Sequence, residues 1–404
     1  MPRAVRHCRV GISRCQIRRW NKRRVAVFAR AVRRRTVTVV SGDAALVYHL
    51  SDLGQGQREP VRSTGRIIMT QVTRRTLLGS TATFSAAAMM GGVSLTTSAQ
   101  AEAPQVGKQA PNFYRYKVGD FEVSVVADGV VRFKLPPGFV SNASPEDVKK
   151  ALAAAFVDTE LFNNTYTPIV VNTGKNLVVI DTGFGEAGIE TSKGTAGNFI
   201  NNLAAAGIDP KSVDTVIISH FHGDHVNGLL RKDNTPAFPN AAIKVPVAEQ
   251  KFWMDDGEMS KAAGNQRMEG LFKNNRRIFG NAEIAKRVQP YEPGKEIVSG
   301  ITAVATNGHS VGHNSQVVSS GGKSLFVQGD VTHVPYLFAR NPGWHLMFDQ
   351  DQQQAEATRR KVYDMLAAEK MMVQGFHYPF PAVAYIEKTP TGYRETMVQW
   401  STTL

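Results

Sequence analysis

The sequence predicts a layered α/β fold, with sheets covered by helices, and three observations carry that expectation. Helix and strand signals alternate along the whole of residues 102–404 instead of separating into blocks. Several short apolar runs, the size of buried strands, each end in a loop that bears His or Asp. Once an atypical front section is set aside, residues 102–404 are long enough for one large unit with ample core, and they contain no internal linker.

That front section distorts every bulk property. Residues 1–68 carry a net charge of +13, residues 69–101 of +2 and residues 102–404 of −1, so the sequence pI of about 9.8 belongs to the first quarter. The remainder has no basic face to hold nucleic acid, and no such partner is expected. Residues 69–101 resemble a twin-arginine export signal: Met69, then Arg74-Arg75, Leu77-Leu78, a mildly apolar run, and an A-x-A cleavage site at Ala99-Gln100-Ala101. The resemblance implies a start at Met69, a periplasmic or secreted destination and the twin-arginine machinery as a partner. Residues 1–68 are then a disordered upstream misreading, the alternative being a genuine basic extension. The apolar run is too polar for stable membrane insertion. Both cysteines, Cys8 and Cys15, precede Met69, which leaves residues 102–404 without a disulfide or a thiolate ligand.

From residue 102 onward a first strand is expected at 121–127. Ser144-Pro145-Glu146-Asp147 reads as a helix cap with proline in the first turn, and the helix runs to about Phe156. Residues 169–181 form a hairpin turning at 172–176. A helix at 195–206 stops at Gly207 and feeds a buried strand at 213–219. Strands follow at 242–245, 301–306 and 324–328. A long polar helix at 349–370 precedes a short strand at 371–373, and a hairpin of 382–387 with 393–400 turns at 389–392.

The densest chemistry follows the strand at 213–219, in the run Ser219-His220-Phe221-His222-Gly223-Asp224-His225. Residues two apart on an extended chain point the same way, so His220 and His222 can share one metal. Asp224 and His225 fall where the chain turns into a helix and aim at a second point. Imidazole and carboxylate suit zinc, and also iron or manganese. Three further strand ends each offer one ligand: His309, Asp330 and His377. A carboxylate such as Asp330 can bridge two cations. By contrast Gly183-Phe184-Gly185-Glu186-Ala187-Gly188 spells a dinucleotide fingerprint, yet Leu203 stands where an acidic residue is needed and the next helix is expected only near Thr195. It reads as an active-site loop.

The succession H-x-H-x-D-H, G-H-S-x-G-H, G-D and a late His resembles the metallo-β-lactamase superfamily, across residues 115–400 and including the strand 178–183. Within it the likeness is to methyl parathion hydrolase and related lactonase-like binuclear hydrolases, at Asp181-Thr182-Gly183, at Phe252-Trp253 and from Gly329-Asp330 onward. The resemblance implies a four-layer αββα sandwich and two divalent ions, zinc first, with manganese or iron as alternatives. His220, His222 and His309 would hold one ion and Asp224, His225 and His377 the other, with Asp330 shared. Asp224 would orient a bridging hydroxide, and His313 would orient its neighbours by hydrogen bonding. A homodimer is also within the family's habits. The missing thiolate ligand argues against β-lactam hydrolysis. His222, where diiron oxygen-reducing members carry glutamate, argues against a redox role, as does the absence of a following flavin domain.

The expected activity is attack of that hydroxide on a small neutral ester, lactone or phosphotriester. Trp253, Phe184 and Phe272 are the leading candidates for an apolar substrate pocket, with Phe252 and Phe348 behind them. His333 and His345 lie near enough in sequence to reach its mouth, but lone histidines are ordinarily structural. A glyoxalase II-like thioester hydrolase or a sulfatase-like enzyme would need cationic anchors, and Arg276-Arg277 is the only tight basic pair nearby. A metal-binding protein without turnover is the alternative from another class.

Overall fold

Side-chain alternation along the strands decides where this chain buries its apolar residues. In the computed structural model the described residues are 36–41, 44–49, 105–107, 109–110 and 112–404. The chain divides into two compact units, Met1–Ala101 and Glu102–Leu404. The first is described only as β1 (Thr36–Ser41) antiparallel to β2 (Ala44–His49), within the segment read from sequence as a disordered extension. Met69, Arg74-Arg75, the A-x-A site, Cys8 and Cys15 all lie outside the described residues.

In the second unit the order is β3 (Phe113–Val118), β4 (Phe121–Val126), β5 (Gly129–Phe133), α1 (Pro145–Ala154), β6 (Phe162–Tyr166), β7 (Ile169–Asn172), β8 (Leu177–Ile180), α2 (Ala187–Thr191), α3 (Phe199–Ala205), β9 (Thr215–Ile217) and α4 (Gly223–Val226). Next come β10 (Ala242–Pro246), α5 (Val247–Met254), α6 (Asp256–Lys261), α7 (Gln266–Phe279), α8 (Ala282–Ala285), β11 (Val288–Tyr291), β12 (Glu296–Val298), β13 (Ile301–Ala305), β14 (Asn314–Ser320) and β15 (Lys323–Val327). The chain closes with α9 (Pro335–Phe338), α10 (Gln352–Glu369), β16 (Met372–Gln374), β17 (Val383–Lys388) and β18 (Tyr393–Met397).

Two seven-stranded sheets result, ordered β11-β10-β9-β8-β7-β4-β3 and β12-β13-β14-β15-β16-β17-β18, beside a small β5-β6 pair. In the first sheet, Ile169, Val171, Val178, Ile180 and Ile217 face a core shared with Val318, Leu325, Val327 and Val373 of the second. Their neighbours Val170, Val179, Val216 and Ile218 face the opposite way, onto Leu203 of α3, Trp253 of α5 and Phe272 of α7. On the far side α10 packs along β17. Helices therefore cover both outer faces of a two-sheet sandwich, the mixed α/β architecture that the interleaved pattern predicts.

Element boundaries depart from expectation where turns intervene. The helix expected at 195–206 begins only at Phe199, because Gly194 and Gly197 hold φ of +85° and +87° and the Gly197 N–H donates to Asp128. A short helix, α2, opens at Ala187, one residue before the last glycine of the Gly183–Gly188 motif, where none was expected. Sequence reading also passed over β14 and the run of helices from α5 to α8. Among the described residues no helix is long and apolar enough to cross a membrane.

Candidate metal centre

β9 runs parallel between β8 and β10, so its C-terminal end opens at the rim of the first sheet. Beyond it His222 still has extended backbone, φ −73° and ψ 151°, and caps α4, which carries Asp224 and His225. His220 and His222 therefore project together, while the helical turn swings Asp224 and His225 aside. From the second sheet, His309 follows β13, Asp330 follows β15 and His377 follows β16.

Two clusters form there. His220, His222, His309 and Asp330 bring one ligand atom each within 4.8 Å of one another, and Asp224, His225 and His377 do the same. His222 Nδ1 stands 3.0 Å from His220 Nε2 and 2.9 Å from His309 Nε2. Asp330 Oδ2 lies 3.2 Å from His309 Nε2, 3.2 Å from His377 Nε2 and 3.4 Å from His225 Nε2, so it touches both clusters. His225 Nε2 and Asp330 Oδ1 are buried and have no hydrogen-bond partner. Converging imidazole nitrogens beside an unpartnered buried carboxylate oxygen form the donor set of a divalent cation, and the residues present fit one.

The outer nitrogens of four of these rings are anchored, which fixes their inward nitrogen as the free lone pair; His222 Nε2 is buried without a partner. His225 Nδ1 meets Asp181 Oδ2 at 2.8 Å, His309 Nδ1 meets Asp349 Oδ1 at 2.7 Å, His377 Nδ1 meets the Thr165 carbonyl at 2.8 Å and His220 Nδ1 meets Ser219 Oγ at 3.0 Å. Burial first, then the neighbouring histidines, hold His220 and His222 well below the usual imidazole range. At His309 burial acts downward, but Asp330 and Asp349 outweigh it and push the ring up to about 9. His225 is likewise raised against burial, by Asp330, Asp181 and Asp224. The carboxylates thus draw positive charge into the cluster, as they would a cation.

Two further groups brace the loops. His313, fully buried, accepts the Asp330 backbone N–H at Nε2 and sits 2.8 Å from Thr306 Oγ1 through Nδ1; burial, then His309, pushes it down to about 3. Glu249, buried in α5, accepts from Phe221 N, Trp253 Nε1, Ser310 Oγ and Gly312 N at 2.6–2.9 Å, tying the His220–His225 loop to the His309–His313 loop. Sequence reasoning missed Glu249 and Asp349 because neither adjoins a ligand in the chain. Asp181 was in view as part of a motif, without a role.

The clusters floor a cavity of about 240 Å³, walled by Phe133, Tyr166, Phe184, Leu271 and Phe348, with Asn164, Arg267 and His333 among the polar lining. Of the three leading aromatic candidates, Phe184 lines this cavity. Trp253 and Phe272 are not in this wall: both are fully buried in the core behind it, their rings 4.7 Å apart. The indole is held there because its N–H is committed to Glu249. Phe252 is likewise absent from the wall, whereas Phe348 lines it. His333 reaches the cavity, stacked 3.9 Å from His377, and burial followed by His377 keeps it well below the ordinary imidazole range. His345 instead pairs with Glu356. Arg276 is engaged by Asp256 and Arg277 by Asn234, so the cation at the cavity is Arg267, whose guanidinium donates to the Met347 and Phe348 carbonyls.

Residues 164–368, just over half of the chain, match the family model described as Metallo-beta-lactamase superfamily. Among solved structures, the hydrolase AbOPH in the beta lactamase superfamily is similar at 25% identity, over 73% of this chain and 100% of that one, with a TM-score of 0.67. AidC, a dizinc quorum-quenching lactonase, is similar at 23% identity over 72% of this chain and 99% of that one (TM-score 0.64). A probable metal-dependent hydrolase from Staphylococcus aureus is similar at 19% identity over 71% and 100% (TM-score 0.58). Those last two likenesses bear on the fold alone. No curated protein matches the sequence. With the histidine and aspartate clusters at one rim of a two-sheet sandwich, the chain belongs to the metallo-beta-lactamase superfamily and is a metallo-hydrolase.

Proposed function

We propose that the protein is a binuclear metal-dependent hydrolase of small neutral esters, lactones or phosphotriesters. The observation that carries this reading is Asp330 Oδ2, lying within 3.4 Å of nitrogens from both ligand clusters at the floor of a largely aromatic cavity. Bound divalent ions would supply an acidified water and polarise the acyl or phosphoryl oxygen. His220, His222 and His309 would hold one, Asp224, His225 and His377 the other, and Asp330 would serve both; zinc is the first candidate, then manganese or iron. Asp224 is the most open of these carboxylates, its side chain 19% exposed, with Oδ2 3.4 Å from His377 Nε2. It is placed to accept a proton from water entering the cavity and to aim that water at the substrate. Phe133, Phe184, Leu271 and Phe348 exclude bulk water and receive the apolar part of the substrate.

Arg267 favours a second reading, because a guanidinium has five donors and its carbonyl partners leave some free for an anionic thioester or sulfate ester. Export by the twin-arginine route would place either activity in the periplasm or outside the cell.

The test is metal analysis of the purified protein together with hydrolysis of p-nitrophenyl acetate, a γ-lactone and paraoxon, before and after chelation. About two metals per chain with chelator-sensitive turnover is the expected result. One metal or none, with no activity after zinc or manganese is added, would overturn it. Full metal content without turnover of any ester would leave a binding protein.

A further inference from the structure

Strand β6 does two things at once. Its Thr165 carbonyl accepts His377 Nδ1–H at 2.8 Å, and the residues on either side, Asn164 and Tyr166, both line the cavity. Residues two apart on a strand share a face, so one short piece of backbone fixes a ligand of the metal centre and presents two polar side chains beside it. Each is only 4% exposed. Asn164 Nδ2 donates to Tyr166 Oη at 2.8 Å, which occupies the phenol as an acceptor; no described residue takes the phenol's own proton. The Tyr166 ring is held edge-on between Phe184, at 4.5 Å, and His377, at 5.2 Å. Asn164 Oδ1 is itself buried without a partner, so this polar pair is incomplete within the protein alone.

We propose that Tyr166 is a catalytic residue that donates its phenolic hydrogen bond to the reacting acyl or phosphoryl oxygen of the substrate, and that Asn164 is the positioning residue that turns the hydroxyl toward it. The inference rests on the ester-hydrolase reading above. Its physical basis is a preorganised donor beside developing negative charge in a site with little water. The donation involves no net proton transfer.

The experiment compares the full-length wild type with Tyr166→Phe, Asn164→Ala and the double variant, measuring bound metal, kcat and KM on p-nitrophenyl acetate and a γ-lactone. Tyr166→Phe removes one oxygen and is expected to lower kcat about 10- to 100-fold, with metal content unchanged and KM within a few-fold. Asn164→Ala is expected to cost less, and the double variant no more than Tyr166→Phe alone, because the asparagine acts through the phenol. Wild-type kcat in Tyr166→Phe, or a fall in metal content that tracks the lost activity, would overturn the proposal. If the metal-loaded wild type hydrolyses neither of these substrates nor paraoxon, the ester reading has failed. Tyr166 is then judged on binding of dimethyl phosphate by calorimetry. About tenfold weaker binding by Tyr166→Phe supports the donor, and equal binding, or none to either protein, overturns it.

Discussion

His313 Nε2 accepts the backbone N–H of Asp330 at 3.0 Å, so a histidine that reaches neither ligand cluster sets the position of the carboxylate that touches both. Replacing it with leucine leaves that buried N–H without an acceptor and frees the Gly329-Asp330 turn. The expected loss is roughly 10- to 100-fold in metal affinity or activity, the usual cost of removing a group that orients ligands. Zinc titration of His313→Leu against a fluorescent chelator checks it.

Glu249 gathers four donors from both histidine-bearing loops. Glu249→Ala strands all of them in a buried place and is expected to cost on the order of 3–5 kcal/mol. Glu249→Gln keeps the shape and is expected to cost less. Urea unfolding of the two variants beside the wild type gives the comparison.

Trp253 and Phe184 are both large aromatics near the centre, but only Phe184 lines the cavity. Trp253→Ala should therefore destabilise by about 3–5 kcal/mol as a core deletion. Phe184→Ala should leave stability nearly intact and raise KM roughly tenfold through lost apolar contact. Thermal melts paired with steady-state kinetics separate the two outcomes.

Asp128 is fully buried and accepts from the backbone of Phe184, Gly197 and Phe199; burial nevertheless raises it from 3.8 to about 6. The folded state then holds this proton more tightly than the unfolded chain. Its contribution to stability is present below about pH 4, declines as pH rises toward 6 and is gone above that, a change of about 3 kcal/mol. Asp128→Asn does not titrate. The wild-type-minus-variant difference in unfolding free energy should fall between pH 4 and pH 6.5, and a flat difference would contradict the assignment.

Chelation should lower the melting temperature as well as the activity. At free ion a thousandfold above its dissociation constant, binding adds about 4 kcal/mol of stability, which a strong chelator removes. Calorimetric scans with and without chelator, followed by zinc add-back, measure this.

Much of this was legible in the chain. The run from His220 to His225 is legible because its ligands are contiguous and backbone geometry alone sorts them into two directions. His309, Asp330 and His377 are legible because each follows a strand end. Glu249, Asp349 and Arg267 are not, since each reaches the site through space from a helix or loop whose local sequence has an ordinary surface reading. Trp253 misled for another reason: the resemblance at Phe252-Trp253 suggested a pocket wall, whereas its N–H is committed to a buried carboxylate in the core. The turn before α3 hid behind helical spacing, which glycines at positive φ override.

Each ligand cluster draws on both sheets: His220 and His222 meet His309 and Asp330, and Asp224 and His225 meet His377. A bound ion is therefore a cross-brace between the halves of the sandwich. A chain in which only one sheet has formed presents an incomplete set to either position, so tight capture of metal becomes a signal that the two halves have docked. Regain of activity after denaturation should follow the rate of that docking and not the concentration of metal, once metal is in excess.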